Sequence, residues 1–405
     1  MLVIRLDYPN QYFVNDESSW ANKIFGDQTQ QLNHYMNEVS NAQFQYSPVA
    51  EGGGANDGVV TVYFTTDHPD ADINSYTFES ELHPDLEDAI TAVSNYGFDF
   101  SLYDDNHNGK LTPDELLIVF IMAGEEDAYS GGGITNGVWA HQWCTTAHTT
   151  VNGISVMGCA DGGQYAIFGE RHYDAISISH DATIGIIAHE LGHSALGLPD
   201  LYDVDGGSAG IGYFGLMSSG TWARASNQEY HGQTPVHFSA WSKTSTGWVV
   251  PDVLTGTNIP INGTADANYN IIKVPISSSE YFLLENRTNS GYDKGLFILD
   301  GIYVGGLAIW HIDEDVITSN FNNNTVNADA SHKGVDLEEA NNAVLDTSTW
   351  AVGDARNLYY LQNSNEFSPT TSPNSNSYYS SGTGITVDNI SGVGSTMTVD
   401  IINPN

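Results

Sequence analysis

Positively charged residues are scarce in this chain. Its 405 residues include 11 lysines and arginines against 50 aspartates and glutamates, so the formal net charge is −39 at pH 7. A surface with this charge repels phosphate groups, and we therefore expect the protein to bind neither nucleic acids nor anionic membranes. The same excess of carboxylates attracts cations, which makes metal ions the first kind of partner to consider.

Long apolar segments and cysteines are scarce as well. No apolar run approaches the roughly 20 residues that span a bilayer, so we expect no transmembrane helix. Residues 1–6 are apolar only briefly and lead straight to Asp7, so we expect any leader or propeptide to be missing from this chain. The two cysteines, Cys144 and Cys159, either form a disulfide in an oxidising compartment or stay as two buried thiols.

The apolar residues, which make up 40% of the chain, predict two regions of different texture. Up to about residue 250, helical and strand periodicities are mixed. Helices are predicted near 32–39, 86–93 and 181–196, a strand is predicted at 59–64, a buried strand or core helix at 116–123, and a loop at 124–137. After Pro251, short alternating segments predict strands at 271–274, 281–285, 306–312, 385–390 and 397–401. We therefore predict an α+β domain over residues 1–250 and an all-β sandwich over residues 251–405.

The most informative segment is His189-Glu190-Leu191-Gly192-His193. Residues four apart lie on one face of a helix, so both imidazoles can bind the same metal ion. Glu190 follows the first histidine and can accept a proton from a water molecule that the metal activates. The pattern predicts a zinc-dependent enzyme that hydrolyses peptide bonds, with Glu190 as the general base.

A catalytic zinc ion needs a third protein ligand. Asp200 is our first choice, because the chain turns at Gly197 and can bring this carboxylate back to the metal. Asp203 is the alternative, although it can equally belong to a structural or calcium-binding turn. Glu229 and His231, which lie further along the chain, also remain possible zinc ligands.

Residues downstream of the motif predict further parts of an active site. Met217 lies in the Gly- and Ser-rich segment 215–220 and resembles a Met-turn, which forms an apolar floor beneath zinc-binding histidines. Tyr230 and His231 follow, and either can donate a hydrogen bond to the oxyanion of a tetrahedral intermediate. A position in a surface loop without a catalytic role is the alternative for both.

Residues 104–115 match a twelve-residue calcium-binding loop position by position, with Gly109 at the sharp turn in position six. The predicted calcium ligands are Asp104, Asn106, Asn108, Lys110 through its carbonyl, Thr112 and Glu115. We expect a structural calcium ion in this loop. An Asx-rich turn without metal is the alternative.

These segments together resemble the M6 family of secreted zinc metalloproteases, the immune inhibitor A group. The zinc motif is followed by Gly-Leu-Pro-Asp-Leu-Tyr-Asp at 197–203, and the resemblance extends over about residues 1–320. Its other segments are Trp139-Ala140-His141, Trp241-Ser242-Lys243, Gly247-Trp248, 281–287 and 310–314. In one departure, Gly197 lies one position later than in the shortest family spacing.

The resemblance implies a metzincin-like catalytic domain, export with a propeptide removed, and protein or peptide substrates. It assigns zinc binding to His189 and His193 and the general-base role to Glu190, and it supports Asp200 as the third ligand. We expect a secreted monomer that contains Zn²⁺ and Ca²⁺. A catalytically inactive, calcium-dependent binding module on the same fold is the alternative function.

Overall fold

A computed structural model describes residues 1–52, 55–69, 78–130, 136–147, 149–173, 178–341, 343–347, 352–380 and 382–404. The chain forms a mixed α/β structure with two compact units, which consist of residues 1–34 with 45–197 and of residues 35–44 with 198–405. Within the described ranges, no helix is both long and apolar enough to cross a membrane.

The first unit is built on a sheet of parallel and antiparallel strands. The strands of this unit are β1 (Leu2–Asp7), β2 (Val59–Tyr63), β3 (Ile118–Glu126), β4 (Gly137–Val138), β5 (His141–Trp143), β6 (Thr149–Val151), β7 (Ile154–Val156), β8 (Tyr165–Tyr173) and β9 (Ser179–Asp181). Strands β6 and β7 pair with each other in a separate two-stranded sheet. The helices of this unit are α1 (Glu17–Phe25), α2 (Leu32–Val39, which continues into the second unit), α3 (Phe78–Asn95), α4 (Asp127–Ser130) and α5 (Ile184–Leu196).

The strand order of the larger sheet is β2-β1-β3-β8-β5, with β4 beside β3 and β9 beside β8. Strands β2, β1, β3 and β8 run parallel, and β5 pairs antiparallel with β8. The central strand β3 is buried almost along its whole length, as expected for a parallel strand covered on both faces. The apolar run at 116–123 is therefore a strand rather than a core helix.

Two of the predicted element boundaries are wrong. The first part of the loop predicted at 124–137 instead continues β3 as far as Glu126 and then forms α4, whereas residues 131–135 of that loop lie outside the described residues. The helix predicted near 86–93 begins earlier, at Phe78, so that Pro84 lies inside α3. Tertiary contacts decide both cases: β3 continues alongside β8, and buried Leu82 extends the apolar face of α3 beyond Leu86 into the core.

The second unit contains two antiparallel sheets that share one core. Its elements are α6 (Ala240–Ser245), β10 (Gly256–Asn262), β11 (Ile272–Pro275), β12 (Glu280–Thr288), β13 (Gly305–Asp313), α7 (Glu314–Asn320), β14 (Val335–Leu337), β15 (Thr386–Asp388) and β16 (Thr396–Ile402). The sheets have the orders β10-β16-β15 and β11-β12-β13-β14. All five strands predicted after Pro251 are confirmed, whereas β10 and β14 were not predicted.

Side chains from both sheets of the second unit meet in one hydrophobic cluster, to which Ile261, Phe282 and Val399 belong. Their burial follows from the period-two alternation of each strand, which points every second side chain to the same face. The domain boundary near residue 250, the all-β sandwich and the metzincin-like arrangement remain predictions.

Candidate metal centre

Helix α5 carries the predicted zinc motif. It follows the extended residue Thr183 and presents an almost entirely buried, apolar first half. The helix ends where Gly197 takes a left-handed conformation with φ of 62°, and the Gly197 amide donates to the carbonyls of Gly192 and His193. Glycine adopts this conformation without steric cost, so it reverses the chain directly after the motif.

Two imidazoles and a carboxylate come together at this end of the helix. The Nε2 atoms of His189 and His193 lie 3.2 Å apart. With an oxygen of Asp200, one ligand atom from each residue falls within 4.8 Å of the others. Because all three residues belong to the continuous stretch 189–200, the local turn at Gly197 is sufficient to bring them together.

This group is the one that meets the geometric requirement for a metal among the histidines, cysteines, aspartates and glutamates of the described residues. Two imidazoles and one carboxylate are a common donor set for a catalytic zinc ion, so the side chains present fit that metal. Asp203 does not belong to the group. Its Oδ1 accepts a hydrogen bond from the Asp205 amide, as in a local Asx turn.

Asp200 is buried and held by a residue that the sequence did not single out. Its backbone amide donates to Oδ1 of Asn324 over 2.8 Å, and Nδ2 of Asn324 donates to Oδ2 of Asp200 over 2.6 Å. The amide of Leu201, the next residue, donates to the carbonyl of Met217 over 2.7 Å. The Met217 segment therefore supports the loop that carries Asp200, and its role as a floor beneath the histidines remains a prediction.

Glu190 lies on α5 between the two histidines and is 6% exposed. A second buried carboxyl group, Glu126 at the end of β3, accepts hydrogen bonds from the amides of Ala128, Ala140 and Gly169. Burial raises the pKa of Glu126 to about 8, and the nearby charge of Glu190 contributes to the rise. No sequence pattern indicated a role for Glu126, because it follows the apolar run 116–123 in the segment predicted as a loop.

The predicted oxyanion donors both lie in the second unit. The side chain of Tyr230 is 38% exposed, and its backbone amide donates to Oε1 of Gln233. His231 is half-buried, with Nδ1 3.0 Å from the carbonyl oxygen of Trp222. Their catalytic roles remain predictions, as does the alternative use of Glu229 as a metal ligand.

The predicted calcium loop folds back on itself through its own side chains. Asp104 is buried, and its Oδ2 accepts from the amide of Gly109, which has φ of 77°. Nδ2 of Asn106 donates to Oε1 of Glu115 over 2.7 Å. The amide and hydroxyl of Thr112 both donate to the other carboxylate oxygen of Glu115.

The remaining positions of the loop are also tied down. The Asn108 side chain accepts from the amide of Lys110, and Nζ of Lys110 forms an ion pair with Asp161 over 2.9 Å. Leu111 is buried, and its amide donates to the carbonyl of Ser155. The loop thus has the turn and packing of the predicted motif, whereas calcium binding remains a prediction. Further along the chain, Cys144 and Cys159 form a disulfide.

Known proteins provide an independent comparison. No curated protein matches the chain. Among solved structures, the chain is similar to the crystal structure of wild type OgpA from Akkermansia muciniphila, with 12% identity, 71% of each chain covered and a TM-score of 0.32. A TM-score this low does not establish a shared fold. The family described as immune inhibitor A peptidase M6, catalytic domain, matches residues 7–249, which is more than half of the chain. The chain therefore belongs to the M6 peptidases, a family of metalloproteases.

Proposed function

We propose that this protein is a secreted zinc endopeptidase that hydrolyses peptide bonds of proteins. The observation that carries the proposal is the group of His189, His193 and Asp200, whose ligand atoms lie within 4.8 Å of one another. All three residues fall inside the segment that matches the catalytic domain of the M6 peptidases.

Each residue of the motif has one role in the proposed reaction. His189, His193 and Asp200 hold the zinc ion, and Asp200 is favoured over Asp203 because only Asp200 belongs to the group. Zinc, when bound, supplies Lewis-acid chemistry that makes water nucleophilic at neutral pH and polarises a carbonyl oxygen. The Glu190 carboxylate takes the proton of the attacking water and then delivers it to the nitrogen of the leaving amine.

The developing negative charge on the carbonyl oxygen needs a hydrogen-bond donor. We assign this role to Tyr230 or His231. Exposure of Tyr230 supports the assignment, because a phenol at the surface is accessible to a peptide. A Tyr230→Phe variant that loses activity at unchanged zinc content would distinguish Tyr230 from His231.

Two further features support the proposal that the protein is secreted. The disulfide between Cys144 and Cys159 is typical of oxidising compartments. We also propose that the loop at 104–115 binds one calcium ion, supported by the buried Asp104 and the positive φ of Gly109. We expect the active form to be a monomer.

The test is hydrolysis of casein by the purified protein, with and without a zinc chelator, beside a Glu190→Gln variant. Glutamine keeps the shape of the side chain but cannot accept the proton. We expect kcat to fall by about 10²–10⁴-fold in the variant, while zinc content and circular dichroism stay unchanged.

Glu366→Gln, at an exposed position, is the matched control and should retain full activity. Activity that survives both the chelator and Glu190→Gln would contradict the proposal. A zinc-loaded wild-type protein that cleaves no unfolded substrate would instead favour the alternative, an inactive binding module.

A further inference from the structure

Asp200 is a carboxylate with 4% exposure in a segment without regular secondary structure. A buried carboxylate in a loop needs hydrogen-bond donors both to offset its lost hydration and to fix its direction. For a metal ligand the direction matters most, since partners beyond the ligands orient them and tune metal affinity.

Asn324 supplies two such contacts at once. Its Oδ1 accepts from the Asp200 amide over 2.8 Å, and its Nδ2 donates to Oδ2 of Asp200 over 2.6 Å. One planar amide therefore binds both the backbone and the side chain of Asp200. The backbone contact fixes the Asn324 amide relative to the main chain of Asp200, so the contact to Oδ2 holds the carboxylate in one direction relative to that main chain.

Asn324 is itself held in place. It follows the 3-10 helix Phe321–Asn323 in a left-handed conformation with φ of 54°, which asparagine tolerates better than most residues. Three residues later, the fully buried side chain of Asn327 donates to the carbonyls of Leu201 and Val335 and accepts from the Val335 amide. The segment that presents Asn324 is thus fastened to β14 and to the residue next to Asp200.

We propose that Asn324 is a positioning residue for the metal centre, which orients the Asp200 carboxylate and thereby raises zinc affinity. The inference rests on the proposed function, because it assumes that Asp200 is a zinc ligand. Asn324 lies beyond residue 249, where the match to the M6 catalytic domain ends. A residue outside the matched segment therefore contributes to the geometry of the centre.

The variant that tests this is Asn324→Gly. Glycine accepts the positive φ without strain, so the substitution removes the amide and leaves the backbone conformation available. Asn323→Gly is the matched control, because Asn323 is exposed and precedes Asn324 directly. Zinc affinity is measured by competition with a chromophoric chelator, on protein whose fold has been checked by circular dichroism.

We expect Asn324→Gly to weaken zinc binding by about 10–100-fold relative to Asn323→Gly. In cobalt-substituted protein, the visible absorption bands of Asn324→Gly should also shift, since they report the arrangement of the ligands. A general loss of stability would lower the amount of folded protein but leave the bands of the folded fraction unchanged.

The variant Asp200→Ala distinguishes a failure of the zinc-ligand assignment from a failure of the positioning role of Asn324. If Asp200→Ala binds zinc as tightly as the wild type, the ligand assignment fails and the role of Asn324 fails with it. If Asp200→Ala loses zinc but Asn324→Gly binds it like Asn323→Gly, the proposed function stands and the positioning role is overturned.

Discussion

Two fully buried carboxyl groups, Glu126 in the first unit and Glu285 in the second, differ in the groups that surround them. In the first unit, Glu126 is fully buried and held by three backbone amides, and burial raises its pKa to about 8. In the second unit, Glu285 is equally buried, but its Oε1 lies 2.9 Å from Nζ of Lys243. Although burial acts to raise it, the charges of Lys243 and Arg287 bring the pKa of Glu285 below its usual range.

A neighbouring acid in the second unit follows the same rule. Asp293 accepts from Nε and Nη2 of Arg287, a two-point contact between fully buried groups. Burial acts to raise the pKa of Asp293, but the charges around it, that of Arg287 foremost, and the hydrogen bonds from Arg287 together bring it far below its usual range. Among these three acids, the two beside a cation have a lowered pKa, whereas Glu126, which is held by backbone amides, has a raised pKa.

Several of the chain's few basic residues lie in the interior of the protein. Four of its 11 lysines and arginines are buried: Arg5, Lys243, Arg287 and Lys333. Basic side chains are rarely buried unless they are paired, and here a large share of a small supply lies inside. Most surface carboxylates therefore face solvent or ions rather than basic side chains, consistent with the net charge of −39.

The cluster around Glu285 also connects segments that the sequence presented separately. Lys243 comes from the Trp-x-Lys segment, Glu285 and Arg287 from the segment 281–287, and the indole of Trp310 donates to Oε2 of Glu285. Nη1 of Arg287 donates to the carbonyl of Phe214, shortly before the Met217 segment. Three of the family-like segments, 241–243, 281–287 and 310–314, therefore meet at one buried ionic network.

The strongest test of the comparison removes the cation. We expect Lys243→Met to lower the free energy of unfolding by about 3–5 kcal/mol, because it leaves Glu285 buried without its closest counter-ion. Urea denaturation followed by fluorescence measures the change. Arg356→Met is the control, since the pair of Arg356 with Asp354 is exposed on the arginine side, and it should have no measurable effect.

The double variant Lys243→Met with Glu285→Met tests whether the lost stability comes from the unpaired charge of Glu285. Replacing both partners of a buried pair by apolar residues often restores stability, so much of the loss should be recovered. If Lys243→Met lowers the free energy of unfolding no more than Arg356→Met does, Glu285 does not depend on its cation. The contrast drawn between Glu126 and Glu285 would then be wrong.

Besides protonation and pairing with a basic side chain, a carboxylate can be neutralised by a metal ion from solution. Calcium binding would do this for the carboxylates of the loop at 104–115. At a free calcium concentration 100-fold above Kd, the ion should add about 2.7 kcal/mol to the free energy of unfolding. A calcium-selective chelator that leaves zinc bound should therefore lower Tm of the wild type. Glu115→Gln should start from a lower Tm and respond little, and an equal response of both proteins would refute a calcium site at Glu115.

The smallest expected effect concerns Glu126. Its pKa is about 8 in the folded protein and 4.5 ordinarily, so the folded state holds more protons between these values. Stability due to the protonated group is thus fully present below pH 4.5 and is lost as pH rises through 8. Glu126→Gln, which cannot titrate, should cost about 1 kcal/mol at pH 5.

That cost should disappear as the pH approaches 9, because the wild type then carries a buried charge that the variant lacks. The measurement is the difference in unfolding free energy between the two metal-free proteins from pH 5 to 9. A difference that stays constant over this range would show that Glu126 does not titrate there.

Local patterns in the sequence were enough for some of the fold and of the candidate site. The motif of His189 and His193 requires only the helical repeat, and the position of Asp200 requires only the turn at Gly197. The strands β11, β12, β13, β15 and β16 follow from local alternation. In contrast, the three-residue strand β14 and strand β10, which has a β-bulge in its pairing with β16, were not predicted.

The sequence by itself determined the metal-binding helix, the residue types that can hold zinc, the pattern of the calcium loop and the large excess of acid. These features depend on residues within about a dozen positions of one another. Only the tertiary structure joined Asn324 to Asp200, Lys243 to Glu285, and Glu126 to the amides of Ala140 and Gly169. Such contacts depend on which distant segments pack together. Burial then removes the hydration of each charged group and so sets the free-energy cost of leaving it without a partner.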